Sequence, residues 1–437
     1  MGAFRLMLFM CGQLGVMLLA RFFFQWLIDF CSQGSVGVNG ESIALLSASL
    51  VGVALLGFRV FDGVTDPIAG GLADSWVAKG RERRTLLFYT APIPAIGMAM
   101  CFMPSAEYSE SHRWMILLVG MFVFFVGYTL YAIPYWSLVG DYAQGNDERR
   151  GKLSTLLGVG LLIATAIGFI ITPKLIELYG YLESALYISV LSIPLMIAPY
   201  YAAPSPPIVL RDRLGESHED KEGHSSERPL KQLIHAFKHR RFVAIICLFA
   251  GSQMSFTVMT AAAPFIATDL LGGSTSDVAW ILGPLLAVAL PSSSLIPSLT
   301  KRFGWEKSVA LSCTALGFIY LGAGLIGADV IYSPMVSAAI LFSLGGPMIS
   351  VLLGLEGEAI TACAQENGGG VGMYFGVYNL VVKGANGIAI LVTGILADLA
   401  RGGEPWMVKI MGMSAGGMLF IGLITYLLLR PSKTSLS

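Results

Sequence analysis

The sequence predicts an all-α membrane protein of twelve transmembrane helices arranged as two six-helix halves. Three observations predict it. Only 13% of the 437 residues are charged and 55% are hydrophobic, whereas a soluble domain carries about a quarter charged residues. Apolar runs at 42–58, 114–133, 152–171, 243–268 and 406–429 approach or exceed the ~20 residues that cross a bilayer as helix. A polar, charged, Pro- and His-bearing stretch at 203–240 then divides the chain near its middle, as a linker between membrane halves does.

Taken in order, the expected spans are roughly 4–32, 42–74, 84–104, 113–141, 152–173 and 180–202 in the N-terminal half (1–202). Those of the C-terminal half (241–437) are roughly 241–268, 277–299, 306–328, 333–360, 369–398 and 406–429. The first follows the short start MGAFR and is too long and aromatic for a cleaved signal. Basic residues cluster at Lys79, Arg81, Arg83 and Arg84, at Arg149, Arg150 and Lys152, in the 203–240 linker, and at Lys301, Arg302 and Lys307. With Arg5, Arg430 and Lys433 these fall on one side, while the opposite loops hold few, such as Arg113 and Arg401. The asymmetry places both termini and the linker in the cytoplasm, the protein lying in the plasma (inner) membrane. Formal net charge is zero, which argues against a nucleic-acid partner. The six cysteines stand singly in apolar segments and read as core packing, with no metal or disulfide spacing. Four of the five histidines, His218, His224, His235 and His239, fall in the linker, where a solvated loop explains them. The connection GGLADSWVAKGRERR after the second span is echoed by PSLTKRFGWEKS after the eighth. Two halves with matching connections suit a transporter built from repeats.

Charges inside the spans carry the functional reading, because each costs about 2.5–3.5 kcal/mol at mid-bilayer on insertion scales. The second span contains RVFDGVTDP, with Asp62 and Asp66 four residues apart on one face, Thr65 beside them and Arg59 one turn before Asp62. Two carboxylates with hydroxyl oxygens form a hard-oxygen site suited to Na⁺, or a pair that trades a proton. The alternative is that Arg59 and Asp62 neutralise each other while Asp66 caps a break at Pro67. In the fourth span, Thr129 can complete an oxygen cage, Pro134 frees the Leu130 carbonyl, and Trp136 is either a sugar-stacking surface or an interface anchor. In the first, Arg21, Gln25 and Asp29 recur every four residues as one polar stripe, which should line a cavity. The eleventh carries Tyr378, Asn379, Lys383 and Asn386, with Lys383 near the bilayer centre as a pathway residue, a counter-ion to the aspartates, or both. Glu356 and Glu358, on the tenth, are gate or cap residues of open role.

These motifs resemble the glycoside–pentoside–hexuronide:cation symporters of the major facilitator superfamily, the family that includes the melibiose permease. The resemblance runs over most of the chain and rests on RVFDGVTDP, on YTLYAIPYWSLV with the following DERR, and on GVYNLVVKG. It implies the twelve-helix major-facilitator fold and alternating access, with Na⁺ or H⁺ as coupling ion and no other cofactor. It further implies that Asp62, Asp66, Thr65 and Thr129 form the cation site, that Trp136 lies at the sugar, and that Lys383 supports the central cavity. Two acids and an arginine that hold galactosides in the melibiose permease align here with Met17, Ala132 and Leu157. The cation set is retained and the galactoside set is gone.

With those acids missing and Arg21 and Lys383 facing inward, the cavity tends positive and favours carboxylate, sulfonate or phosphate. The expected substrate is a small acidic sugar, a hexuronide or related glycoside, bound by Arg21, Gln25, Trp136, Tyr378, Asn379 and Lys383. Sulfosugars and lysophospholipid-like amphiphiles stay open, as do an uncoupled facilitator and a non-transporting receptor or assembly protein. No nucleophile–base pair or metal cluster marks an enzyme. The expected partners are the solute and membrane lipid, the expected state a monomer.

Overall fold

The computed structural model describes residues 2–36, 42–144, 146–202, 237–326, 333–366 and 371–430. Most of the expected linker, with His218, His224 and His235, lies outside the described residues, as does most of the Gly run after Glu366. The chain begins with α1 (Ala3–Ser32) and a short antiparallel pair, β1 (Gly34–Val36) and β2 (Ser42–Ala44). It continues with α2 (Ala48–Ala78), α3 (Leu86–Thr90), α4 (Pro92–Cys101), α5 (Glu110–Ala143), α6 (Asp147–Ala166) and α7 (Thr172–Ile197). After the linker come α8 (Arg240–Phe265), α9 (Val278–Ser292), α10 (Ile296–Phe303), α11 (Trp305–Leu321), α12 (Pro334–Glu366), α13 (Val371–Arg401) and α14 (Met407–Leu429).

Ten helical stretches among the described residues are long and apolar enough to cross a membrane. The difference from twelve has two local causes. The expected third span is divided between a 3₁₀ turn at Arg83–Thr85, α3 and α4, with Pro92 opening α4 where a missing N–H costs nothing. The fifth and sixth form one helical run, Glu148–Ala202, turned at Gly180, whose φ of 83° belongs to the left-handed region that glycine alone enters freely. The second span starts later than its apolar run suggests. Residues 42–44 are strand, and the helix opens at Ala48. It then runs through Pro67 without a break, so Asp66 caps no helix end there.

Packing divides the chain into two compact units. The first holds α1 to Leu27, α2 from Val64, α3 to α5, α6 to Gly168 and most of α7; the second holds the end of α1, α2 to Gly63, Phe169–Glu177 and α8 to α14. In the first, Phe23 stacks on Phe124 with ring centroids 4.1 Å apart, and Tyr131 stacks on Tyr135. The hydroxyls of Tyr131, Tyr135 and Tyr142 donate to the carbonyls of Met196, Phe9 and Pro199, which settles their polar ends inside an apolar core. In the second, α8 packs along both α14 and α13, and α9 along α12.

Helix α2 shows how sequence spacing sorts its faces. Leu50, Val53, Val60, Val64, Ile68 and Leu72 recur at steps of three, four and seven residues, all close to whole helical turns, and are exposed. Ala48, Val51, Leu55, Asp62, Ala69 and Ala73 recur the same way on the other side and are buried. Asp62 therefore stands in a stripe otherwise made of small and aliphatic side chains.

Candidate functional site

Asp62 is completely buried on α2. The ammonium of Lys383, from α13, lies 3.0 Å from its Oδ2, and the guanidinium of Arg59 lies 3.5 Å from the same oxygen. Arg59 is in reach because it precedes Asp62 by one helical turn. Lys383 is in reach because α13 approaches α2 closely: a Cβ on Gly63 would come within 2.8 Å of Leu380 Cδ1. One carboxylate thus faces two cations in a desolvated place, where removing a partner is far costlier than at a surface. Lys383 thus faces Asp62 as a counter-ion would, an arrangement compatible with either reading of it.

Farther along α13, Asp398 meets the start of α2. It accepts hydrogen bonds from the backbone N–H of Ala48 (2.7 Å) and Ser49 (2.8 Å), and from the hydroxyls of Ser47 (2.6 Å) and Ser49 (2.6 Å). A carboxylate there satisfies N–H groups that a helix leaves unpaired and sits at the positive end of its dipole. The cap explains why α2 opens at Ala48. Nearby, Arg401 at the end of α13 donates to Asp29 (2.8 Å) and Asp269 (2.9 Å), and to the Ser32 hydroxyl (2.5 Å).

A third polar group joins α8, α12 and α13. Glu356, partly buried, accepts from the Tyr378 hydroxyl and, at 2.7 Å, from the Gln253 amide. One turn along α8 from Gln253, the Thr257 hydroxyl donates to Asn386 at 3.1 Å. Asn379 and Glu358 are exposed.

The remaining sequence candidates lie in the other unit. Arg21 donates through Nε to Thr165 at 3.1 Å. Gln25 is 3% exposed, and neither its amide nitrogen nor its oxygen has a hydrogen-bond partner among the described residues. Both flank Gly168, where a Cβ would lie 3.1 Å from Arg21 Cβ and 3.9 Å from Gln25 Oε1. The Trp136 indole donates to Gln13 at 2.9 Å. Thr129 is buried on α5, and Thr65 and Asp66 are half-buried on α2. The expected stripe on α1 thus serves separate ends, with Asp29 taken by Arg401 and Arg21 by Thr165.

Sequence reasoning missed Gln253, Asp398 and the Arg401 pair. Gln253 and Asp398 carry a weak signal, a polar side chain in or at the end of an apolar run.

The family model described as MFS/sugar transport protein matches residues 9–429. The glucuronide carrier protein homolog of Escherichia coli (strain K12) is 30% identical over 135 residues, which cover 30% of this chain and only 29% of that protein's length. Solved transporters share the fold at low identity. A POT family transporter in complex with 5-aminolevulinic acid superposes with TM-score 0.66 at 13% identity, over 97% of this chain and 96% of the other. The nucleoside transporter NupG superposes with TM-score 0.63 at 13% identity, over 97% of this chain and 100% of the other. The chain is a multi-pass membrane protein and belongs to the MFS/sugar transport protein family, as its resemblance to the glycoside–pentoside–hexuronide:cation symporters implied.

Proposed function

We propose that the protein is a secondary active transporter, with no enzymatic activity, that couples Na⁺ or H⁺ to symport of an acidic sugar, a hexuronide or related glycoside, by alternating access. The observation that carries this reading is the buried Asp62 carboxylate between Lys383 and Arg59. In an apolar helix such a cluster is expensive unless the charges are used. A cation entering at Asp62, Thr65 and Asp66, with buried Thr129 as the further candidate, competes with the Lys383 ammonium for the Asp62 oxygens. Displaced, that ammonium is free to meet an anionic solute. Cation and substrate then raise each other's affinity, and the two effects must be equal in free energy. Arg21 and Gln25, with Trp136, Tyr378 and Asn379, complete the proposed substrate set. The Gln25 amide, without a hydrogen-bond partner among the described residues, offers a donor and an acceptor to sugar hydroxyls or a carboxylate. The glucuronide carrier homolog supports the acidic-sugar choice by its name over the matched third of this chain. We place the protein as a monomer in the inner membrane, both termini cytoplasmic, on the basic-residue asymmetry of the loops.

The test is uptake of a labelled glucuronide into proteoliposomes under imposed Na⁺ and H⁺ gradients. Asp62→Asn is expected to abolish accumulation against a gradient while the purified protein stays folded. Undiminished gradient-driven uptake in that variant would overturn the assignment.

A further inference from the structure

We infer that Glu356 is a proton-carrying site separate from Asp62, and that Tyr378 and Gln253 are built around it to let it take up and release one proton. The inference rests on the cation-coupled reading above and deepens it by giving the proton its own residue.

The observation is a contrast in partners. Asp62 faces Lys383 and Arg59, Asp29 and Asp269 share Arg401, and Glu306 and Glu366 share Arg241. Glu356 is different. Its Oε1 accepts from the Tyr378 hydroxyl and its Oε2 from the Gln253 amide, both neutral, and it makes no ion pair among the described residues. Among the described residues the helices packed on α12 offer Glu356 no cation instead, Arg241 of α8 being bound to Glu306 and Glu366. Helix α8 presents Gln253 and α13 presents Tyr378, while Lys383 of α13 is engaged with Asp62. Helix α9 carries no titratable side chain. Helix α11 carries Glu306, Lys307, Cys313 and Tyr320, and α10 carries Lys301 and Arg302, none bonded to Glu356. On α12 itself, Glu358 is exposed and Glu366 is bound to Arg241.

A carboxyl held only by neutral donors takes up a proton without breaking an ion pair, whereas Asp62, Asp29 and Asp269 would each have to give up a cation. Protonation forms one O–H bond on the carboxyl and cancels its negative charge. The Tyr378 hydroxyl then turns from donor to acceptor, a change open to a phenol but not to an ammonium. Gln253 continues to donate to the carbonyl oxygen. The proton comes from water and returns to it, and no other group changes its protonation state.

Infrared difference spectroscopy of the full-length protein in liposomes, titrated from acid to alkaline pH, tests this. The wild type should show a carboxylic-acid carbonyl band that disappears on alkalinisation. E356Q should lose that band, D62N should keep it, and Y378F should shift its midpoint to higher pH because the carboxylate loses a donor. A band unchanged in E356Q, or absent from the wild type, overturns the proposal. In parallel, an inward proton gradient should stimulate uptake of p-nitrophenyl glucuronide by the wild type, and the stimulation should vanish in E356Q. Equal stimulation in E356Q also overturns the proposal. A wild type that shows the titrating band yet moves no glucuronide overturns the substrate reading above and leaves the proton site standing.

Discussion

At mid-helix, α2 offers a carboxylate and α13 the ammonium that meets it; at the start of α2 the roles reverse, with α13 supplying Asp398 and α2 the donors. The first meeting joins full charges in a completely buried place. The second joins a carboxylate to backbone N–H groups and two serine hydroxyls, at a half-buried helix end. Both hold the same two helices, yet they differ in what happens when they part. Separated backbone donors and a carboxylate at a helix end can be taken over by water. Asp62 cannot be left behind cheaply by both of its cations. The deep contact is therefore one that demands a replacement ion, while the terminal one needs only solvent.

The strongest way to break this comparison is to remove the carboxylate that two cations share. Asp62→Leu takes away the buried carboxylate that Arg59 and Lys383 both face and should cost about 3–5 kcal/mol of stability. Lys383→Leu should cost less, because Arg59 still faces Asp62 at 3.5 Å. Thermal unfolding in detergent with the reverse order of stabilities would contradict the shared-carboxylate description. Backbone approach is the next largest effect. A Cβ on Gly387 would lie 2.7 Å from Leu56 Cδ1 and 3.3 Å from Arg59 Cβ, so Gly387→Ala should cost about 1–3 kcal/mol. Three residues earlier, a Cβ on Gly384 meets nothing within 4 Å, and Gly384→Ala should change the melting point little, within about 0.5 kcal/mol. Asp398→Asn should fall between these, at about 0.5–2 kcal/mol, the usual range for losing a helix cap. Hydrogen exchange localised to the first turn of α2 would show that the loss is at the cap rather than in the core.

What the sequence disclosed follows the same physical line. Arg59, Asp62 and Lys383 were legible because a charge inside an apolar run stands out whatever the fold does. Their mutual contact was half legible: Arg59 and Asp62 are one turn apart, but nothing in spacing says that α13 rather than another helix brings the cation. Asp398, Ser47 and Ser49 were invisible because polar residues near helix ends are ordinary. The start of α2 was misplaced for the same reason, since ESIALLSASL is apolar enough to read as span while its true opening depends on Asp398, about 350 positions away. Spacing puts Asp29 in line with Arg21 and Gln25, but it says nothing of its partner Arg401, which comes from 372 positions away. Glu356 stands out in the sequence but its role does not, because its partners Tyr378 and Gln253 carry no charge to betray them.

The exposed stripe on α2 has a consequence for any bilayer that holds the protein. From Leu50 to Leu72 it runs about 33 Å along the helix axis, close to the ~30 Å hydrocarbon thickness of an average membrane. The same helix carries Asp62 on its other side, so a membrane that mismatches the stripe must tilt, stretch or thin around the helix that bears the site. Lipid acyl length thereby becomes a variable that acts on Asp62 without touching it.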